Sequence, residues 1–306
     1  MNPELDAFLA RAEAVMRDDR NGPVQAPATG DRFARPALAE GDRRLAGGPA
    51  SNLVQPVHVG VDLGTAYTVL VVLDREKQPL AGAYRFAQVV RDGLVVDFHG
   101  AIDLLRELKQ TVEARLGFGL TTAATTYPPG VPPGEVRATM HVVEAAGFIC
   151  KHTVDEPTAA NAILQVTDGA VVDVGGGTTG IAIFKDGEVI YTADEPTGGA
   201  HFSLVIAGAL NLEFEQAEAL KKDETQHQRL FPLVRPVMEK VGTIVARHVA
   251  GQAVETIYLV GGTACFAGID GVVAEVTGIK TIIPGYPLFV TPLGVAMYDE
   301  TDIFTR

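Results

Sequence analysis

The 306-residue sequence has few cysteines, no long apolar run and no excess of basic residues, and each shortage excludes a class of protein. Cys150 and Cys265 can form neither a disulfide framework nor a CxxC metal pair, so we expect two buried thiols in a reducing cytoplasm. Apolar runs such as residues 69–73 are far shorter than the ~18 residues of a membrane span, and no signal peptide is visible. Lys and Arg number 25 against 38 Asp and Glu, and the net charge of −13 disfavours nucleic acid. We expect a cytoplasmic protein that binds neither membranes nor nucleic acid.

Several motifs that would identify an enzyme class are also missing. The sequence has no GxxxxGK[ST] P-loop and no GxSxG nucleophile motif. Its seven histidines show no HExxH or other ligand spacing, so we assign them no metal. These absences argue against a P-loop ATPase and against a hydrolase with a catalytic triad.

The length and the local composition predict four segments. Residues 1–20 have apolar residues at the spacing of one amphipathic helix, and residues 21–54 are rich in Gly, Pro and Ala and predict a flexible linker. At about 100–200 residues per domain, the remaining chain predicts a bilobal fold. We expect residues 55–165 with 288–306 to form lobe I, and residues 166–287 to form lobe II.

The body of the chain alternates between strand and helix patterns, which predicts an α/β fold. Strands are predicted at 57–62, 67–74, 79–86, 121–126, 170–173, 179–185 and 188–193, with a final strand at 256–260. The main helices are predicted at 101–116 and 134–146 and through the segment that ends at His248.

One supersecondary unit occurs twice. VGVDLGTAYTVLVVLDREKQPLAG begins at Val59 and AVVDVGGGTTGIAIFKDGEVIY begins at Ala170. Both contain an apolar strand that ends in aspartate, a Gly-Thr loop, a second strand, a charged turn and a third strand. Repetition of such a unit indicates two similar lobes that arose by duplication.

The repeated loops carry candidates for binding a polyphosphate and its metal ion. In each loop a glycine after the aspartate exposes its backbone amide, and a threonine hydroxyl adds a donor. Mg²⁺ prefers one or two carboxylates together with several waters, and Asp62 and Asp173 are the candidates for these carboxylates. We expect them to hold the ion largely through its bound water. The candidate phosphate-binding residues are Gly64, Thr65, Gly175, Gly176, Gly177 and Thr178. A single loop would be interpreted as an ordinary hairpin turn, and the repetition favours a site.

Three further segments extend this candidate site. Glu156 precedes Pro157 in a predicted first helical turn, where a carboxylate can orient a water for attack on a γ-phosphate. Glu218 and Lys221 share a helix face and are candidate nucleoside contacts, although an isolated pair of this kind is more often a solvated ion pair. The other candidate nucleoside contacts follow the strand at 256–260 and are Gly261, Gly262 and Thr263.

These segments, in this order, resemble the motifs of the actin-like and sugar-kinase ATPase superfamily. DLGT at Asp62 is similar to phosphate 1, EPTAA at Glu156 to connect 1, and DVGGGT at Asp173 to phosphate 2. VGGT at Val260 is similar to the adenosine motif, and TPLGVA at Thr291 to connect 2. The resemblance implies two duplicated RNase H-like lobes around a nucleotide cleft, with ATP and Mg²⁺ as ligands and Asp62, Glu156 and Asp173 as catalytic carboxylates.

Narrower similarities point to branches of this superfamily. VRDGLVVDF at Val90 resembles MreB and DEPT at Asp155 resembles DnaK-type chaperones, whereas DVGGGTTGIAIFKDGEVIYTADEPTGGAHFSL and RPVMEKVGTIVARHVAGQ resemble the EutJ family of ethanolamine utilisation proteins. That family resemblance implies a chaperone-like protein of a bacterial microcompartment system, whose two lobes close on nucleotide and act on a client. Candidate clients are ethanolamine ammonia-lyase and a shell protein. Because the catalytic lysine of DnaK-type chaperones has no counterpart between Asp74 and Thr121, any ATP hydrolysis is expected to be slow.

Two alternatives for the function and two for the N-terminal helix stay open at this point. The MreB resemblance motivates a filament-forming or scaffold protein, and the pathway motivates a reactivating factor for ethanolamine ammonia-lyase. The helix at residues 1–20 could dock on a microcompartment shell or fold back on its own body. Its three basic and five acidic residues disfavour a membrane surface.

Overall fold

The computed structural model describes residues 3–17, 56–91 and 93–300, and two five-stranded sheets organise it. The strands are β1 (His58–Leu63), β2 (Tyr67–Leu73), β3 (Pro79–Phe86), β4 (Val90–Arg91), β5 (Leu94–Val95), β6 (Ala124–Tyr127), β7 (Thr153–Asp155), β8 (Gly169–Val174), β9 (Thr179–Lys185), β10 (Glu188–Glu195), β11 (Thr256–Val260) and β12 (Lys280–Ile282). The helices are α1 (Pro3–Arg17), α2 (Phe98–Leu116), α3 (Pro133–Ala145), α4 (Glu156–Leu164), α5 (Gly199–Leu210), α6 (Phe214–Lys222), α7 (His227–Val249), α8 (Ile269–Thr277) and α9 (Val290–Ala296).

Some predictions concern residues outside these ranges. The linker at 21–54, Asp92 of the MreB-like segment and the end of the chain at 301–306 lie outside the described residues. Among the residues that the structure does describe, no helix combines the length and the apolar character that crossing a membrane requires.

The two sheets have the same strand order, as duplication of one unit predicts. One sheet runs β3-β2-β1-β6-β7 and the other runs β10-β9-β8-β11-β12. In the first, β1 pairs antiparallel with β2 and parallel with β6. In the second, β8 pairs antiparallel with β9 and parallel with β11. The equivalent strands β1 and β8 therefore end in Asp62–Leu63 and Asp173–Val174, at matching places in the two lobes.

Both faces of the central strands are buried, which explains why they read as nearly continuous apolar runs. Leu70 and Val72 of β2 belong to the core of lobe I. The residues that alternate with them along β2 belong to a second cluster, which lies between the lobes. Strand β9 behaves in the same way, with Ile181 and Ile183 in the core of lobe II and Phe184 in the shared cluster. The sheets thus pack against helices on one face and face the inter-lobe region with the other.

Helix α9 packs against α4 and β1 at backbone contact distance. A Cβ atom placed on Gly294 would lie 1.8 Å from the carbonyl oxygen of Ala159. A Cβ atom placed on Gly60 of β1 would lie 2.5 Å from the carbonyl oxygen of Pro292. Glycine at both positions is therefore a steric requirement of this packing.

The N-terminal helix is folded back on the body, which is one of the placements that the sequence left open. Helix α1 packs on β3 and contacts the 3₁₀ turn at residues 287–289. Leu9, Ala12 and Met16 are at most 2% exposed and belong to the inter-lobe cluster. The apolar face of α1 that the sequence predicts is thus buried against the rest of the same chain.

Two predicted elements differ from the structure. The strand at 256–260 is not the last one, because β12 pairs in parallel with β11 at the sheet edge. Only three residues long, β12 is too short to show an alternating pattern. The strand predicted at 121–126 begins only at Ala124, and Thr122 forms an isolated bridge with Ile149.

Candidate functional site

A cavity of about 320 Å³ opens where the ends of β1 and β8 face each other across the two lobes. All the site residues predicted from the sequence line it. From lobe I these are Asp62, Gly64, Thr65 and Glu156, and from lobe II they are Asp173, Gly175, Gly176, Gly177, Thr178, Glu218, Lys221, Gly261, Gly262 and Thr263. The structure thus brings these residues together, while their individual roles stay predictions.

The two Gly-Thr loops have the same local structure and meet at the cavity. The amide of Gly64 donates to the carbonyl of Tyr67 at 2.9 Å, and the amide of Gly175 donates to the carbonyl of Thr178 at 3.0 Å. A Cβ atom placed on Gly176 would lie 2.8 Å from the Cβ atom of Ala66 in the opposite loop. The loops therefore approach so closely that residue 176 must lack a side chain.

The lobe II loop is held from behind by two neighbouring segments. The first amides of α5 donate to it, from Gly199 to the carbonyl of Gly175 at 2.9 Å and from Ala200 to the carbonyl of Gly176 at 2.7 Å. The Thr263 hydroxyl also donates to the carbonyl of Gly175, at 2.7 Å. Thr263 therefore supports the glycine loop, and its predicted nucleoside contact stays a prediction.

Three carboxyl groups come from different elements and face the same cavity. Asp62 and Asp173 lie near the ends of β1 and β8, and Glu156 is the first residue of α4. The Asp155 side chain caps α4 by accepting from the Thr158 amide at 3.1 Å, and this cap places Glu156 at the cavity wall. Asp173 is only 6% exposed.

Burial raises the pKa of all three carboxyl groups, and mutual repulsion adds to the rise for Asp62 and Glu156. Desolvation, followed by the charge of Asp173, raises the pKa of Asp62 to about 7. Desolvation raises the pKa of Asp173 to about 6, although a hydrogen bond from Thr291 opposes the rise. The pKa of Glu156 is raised by desolvation and then by both aspartates. A cation placed among the three groups would favour their ionised forms.

These shifts predict that stability depends on pH through Asp62. Its pKa is about 7 in the folded protein and 3.8 ordinarily, so its carboxyl group contributes stability that is full below about pH 4 and is lost as the pH rises through 7. We expect the free energy of unfolding of Asp62→Asn, relative to the parent, to increase over this interval. Urea denaturation at a series of pH values measures it, and a difference that does not vary with pH would contradict the raised pKa.

Gly261 lies directly beside Asp173, at the start of the loop after β11. Its backbone has φ +88°, and a Cβ atom placed there would lie 2.3 Å from Oδ1 of Asp173. The Gly261 amide donates to the carbonyl of Pro287 at 3.0 Å, which ties this loop to the 3₁₀ turn at 287–289. The glycine is therefore required both by its conformation and by the carboxylate next to it.

The predicted pair of Glu218 and Lys221 is a buried ion pair, so the solvated alternative is wrong. Oε2 of Glu218 accepts from Nζ of Lys221 at 2.6 Å and from the Ser203 hydroxyl at 2.5 Å. Burial raises the pKa of Glu218, but the two lysines and Ser203 outweigh it, and the net shift is downward. Desolvation lowers the pKa of Lys221.

Lys222 connects the two lobes, and the sequence analysis missed it. Its Nζ lies 3.4 Å from Oε1 of Glu218, 3.8 Å from the centre of the Phe86 ring and 4.7 Å from that of Tyr67. The two rings belong to β2 and β3 of lobe I, so the contact is a cation–π interaction across the cleft. The spacing of four residues from Glu218 could have identified Lys222 as a partner.

Two other cavity residues also differ from expectation. Thr291, whose hydroxyl donates to Oδ2 of Asp173, lies in the connect 2 segment but was given no role. Cys265 lines the cavity and is exposed, so the expectation of two buried thiols is correct only for Cys150. Cys265 is the last residue of the 3₁₀ turn at 262–265, whose Thr263 and Ala264 are buried, and no pattern in the sequence distinguishes it from them.

Comparison with a family model and with a solved structure concerns the fold. A family model described as "Type IV pilus assembly protein PilM" matches residues 140–288. The crystal structure of MreB 5 of Spiroplasma citri bound to AMPPNP has a TM-score of 0.65 at 16% identity and covers 79% of this chain and 96% of that chain. At that identity the likeness concerns the fold alone.

Closer relatives define the family. Ethanolamine utilization protein EutJ of Salmonella typhimurium (strain LT2) is 44% identical over 242 residues, which are 79% of this chain and 85% of that protein. The crystal structure of EutJ from Carboxydothermus hydrogenoformans has a TM-score of 0.75 at 48% identity and covers 81% of this chain and 91% of that chain. The chain therefore belongs to the EutJ family of ethanolamine utilisation proteins and has the actin-like ATPase fold.

Proposed function

We propose that this protein binds ATP with Mg²⁺ between its lobes and acts as a chaperone-like nucleotide switch in ethanolamine utilisation, with slow hydrolysis. The observation that carries the proposal is the meeting of two equivalent Gly-Thr loops, one from each lobe, beside three buried or half-buried carboxyl groups. A polyphosphate with its cation matches both features, because the loops offer amides and the carboxyl groups favour a positive charge.

The residues present fit these ligands. The cavity volume of about 320 Å³ lies at the lower end of the range for small-molecule sites. Among the described residues that line it, the lysines are Lys221 and Lys222, and both pair with Glu218. The three carboxyl groups therefore lack a lysine or arginine partner from the cavity wall. The relative MreB 5 of Spiroplasma citri is bound to AMPPNP in its crystal structure, which supports the same class of ligand.

In this proposal each group of residues has a separate task. Asp62 and Asp173 hold the hydrated Mg²⁺, which would offset phosphate charge when bound. Glu156 orients a water, and the glycines and threonines of both loops bind phosphate oxygens. Glu218, Lys221 and the loop at 261–263 contact the nucleoside. Because no counterpart of the chaperones' catalytic lysine was recognised in the sequence, we expect turnover below about 1 per second, the low end of common enzyme rates.

The experiment is a calorimetric titration of the purified full chain with ATP, with and without Mg²⁺, followed by a phosphate-release assay on the same sample. We expect tighter binding with Mg²⁺ and slow phosphate release. Binding without any release would remove hydrolysis from the proposal and leave a nucleotide-binding scaffold. The absence of binding under both conditions would overturn the proposal, and the site assignments would fall with it.

The client and the location are also part of the proposal. Nucleotide-dependent closure of the lobes would act on a protein of the ethanolamine pathway, with ethanolamine ammonia-lyase and a shell protein as the candidates. Restored turnover of an inactivated lyase on addition of this protein and ATP would identify the lyase as the client. An effect confined to shell association would identify the other candidate and a place at the microcompartment.

The filament alternative rests on the MreB-like segment, and the structure places part of that segment at the cleft. Val90 of β4 and Gly93, which precedes β5, line the same cavity as the Gly-Thr loops. This placement favours a role near the nucleotide over a role in polymer contacts. Light scattering of the ATP-containing samples distinguishes the two, since a concentration-dependent rise would favour the filament.

A further inference from the structure

Helix α1 occupies a groove whose apolar lining matches one face of the helix. Leu9, Ala12 and Met16 are almost completely buried, whereas Ala10 and Ala14 on the opposite face are exposed. Strand β3 forms the floor of this groove, where the packing is closest at a glycine. A Cβ atom placed on Gly82 would lie 2.1 Å from the sulfur of Met16.

The other wall of the groove leads directly to the nucleotide cleft. Phe289 and Leu293 line a small gap beside Ala12 and Met16, so α1 lies against the 3₁₀ turn at 287–289 and against Leu293 of α9. Leu288, in the same turn, lines the cleft. The carbonyl of Pro287 accepts the amide of Gly261, the glycine beside Asp173. One three-residue turn thus contacts α1 on one side and the predicted nucleoside loop at 261–263 on the other.

The contact between α1 and the body also includes a polar interaction. Nη1 of Arg11, which is exposed, donates to Oε1 of the half-buried Gln78 at 2.8 Å.

We propose that this groove is a helix-binding surface whose resident ligand is α1 of the same chain, and that its occupancy is coupled to nucleotide binding through residues 287–289. The surface fits an amphipathic helix with apolar residues at the spacing of Leu9, Ala12 and Met16. A partner that captures the apolar face of α1 must first displace it from the groove. Docking on the body and docking on a partner are therefore mutually exclusive states.

The direction of the coupling follows from the contacts. With α1 docked, the turn at 287–289 is packed on one side and holds the Gly261 loop on the other. Undocking removes the packing that fixes this turn, so the nucleoside loop loses order and nucleotide binds more weakly. By linkage, nucleotide strengthens the docking of α1 by the same factor. This coupling depends on the proposed nucleotide site, whereas the docking surface does not.

The experiment uses the full chain with Leu9→Asp, and with Ala14→Asp as the matched control on the exposed face. Hydrogen exchange of residues 3–17 is measured for the parent and both variants, and ADP with Mg²⁺ is titrated into each. Only in Leu9→Asp do we expect rapid hydrogen exchange of residues 3–17 and about tenfold weaker ADP binding. A tenfold change lies within the usual range for coupled sites. In the parent, saturating ADP should slow the exchange of α1. A synthetic peptide of residues 1–20 should restore ADP binding to Leu9→Asp, which shows that the variant is folded.

The outcomes separate this inference from the proposed function. Equal ADP binding by the parent and both variants overturns the coupling and leaves the nucleotide site intact. The absence of ADP binding by the parent overturns both. A dimer that dissociates in Leu9→Asp would show that the groove takes α1 from a second copy, which overturns the assignment to the same chain. Slow exchange of residues 3–17 in Leu9→Asp would overturn the docking surface itself.

Discussion

Replacing Asp173 by asparagine is expected to weaken the binding of ATP with Mg²⁺ by about 100-fold or more at pH 8. Removing one member of a buried charge arrangement commonly costs about 3–5 kcal/mol, and each 1.4 kcal/mol is tenfold in affinity. Asp173 is 6% exposed and lies with Asp62 and Glu156, so asparagine removes one of the three carboxylates that would face the cation. Calorimetric titration of the parent and Asp173→Asn gives the ratio of dissociation constants.

The same substitution should not destabilise the protein in the absence of nucleotide. Because burial raises the pKa of Asp173 to about 6, its ionised form at pH 8 is disfavoured in the fold, and asparagine removes that charge. The amide oxygen of asparagine can still accept from the Thr291 hydroxyl. Asp103→Asn is the matched control, since the Asp103 side chain is 73% exposed on α2. Binding by Asp173→Asn as tight as that of the control would refute the role of Asp173.

Replacing Gly294 by alanine is expected to lower the free energy of unfolding by about 3 kcal/mol or more, or to prevent folding. The new methyl group would lie 1.8 Å from the carbonyl oxygen of Ala159, 2.4 Å from its carbonyl carbon and 3.2 Å from the next amide nitrogen. All three atoms belong to the backbone of α4, so no side-chain rotation relieves the overlap. Only a shift of α9 relative to α4 can relieve the overlap. Overpacking of this kind costs about 1–3 kcal/mol or more.

Gly271→Ala is the matched control for that substitution. Gly271 lies within α8, and a Cβ atom placed there would meet no other atom within 4 Å. Alanine at an open helical position stabilises by about 0.5–1 kcal/mol, so the two variants should differ in sign. Urea denaturation of both variants measures this difference. Equal stability of the two would show that the approach of α9 to α4 is looser than the structure indicates.

Much of the architecture follows from local sequence patterns. Strand β9, from Thr179 to Lys185, begins and ends as predicted, because burial on both faces produces a continuous apolar run that turn residues bound. The short edge strand β12 was missed, since three residues carry no periodicity. The candidate site could be predicted from the sequence for a different reason. A loop such as Asp62-Leu63-Gly64-Thr65 requires an aspartate, a glycine and a threonine at fixed spacing, and its second copy at Asp173 distinguishes it from an ordinary turn.

The groups that position this site were visible only in three dimensions. Thr291 donates to Asp173 from 118 residues away, and Lys222 contacts Phe86 from the opposite lobe. Neither contact has a local signature, because each depends on how α9 and α6 are placed by packing. The sequence therefore determined by itself the duplicated units, the two Gly-Thr loops and the apolar stripe of α1, since these are properties of consecutive residues. Only the tertiary structure decided that the stripe is covered by β3, that Glu218 is buried and that Cys265 is exposed, because the burial of a side chain depends on residues far away in the chain.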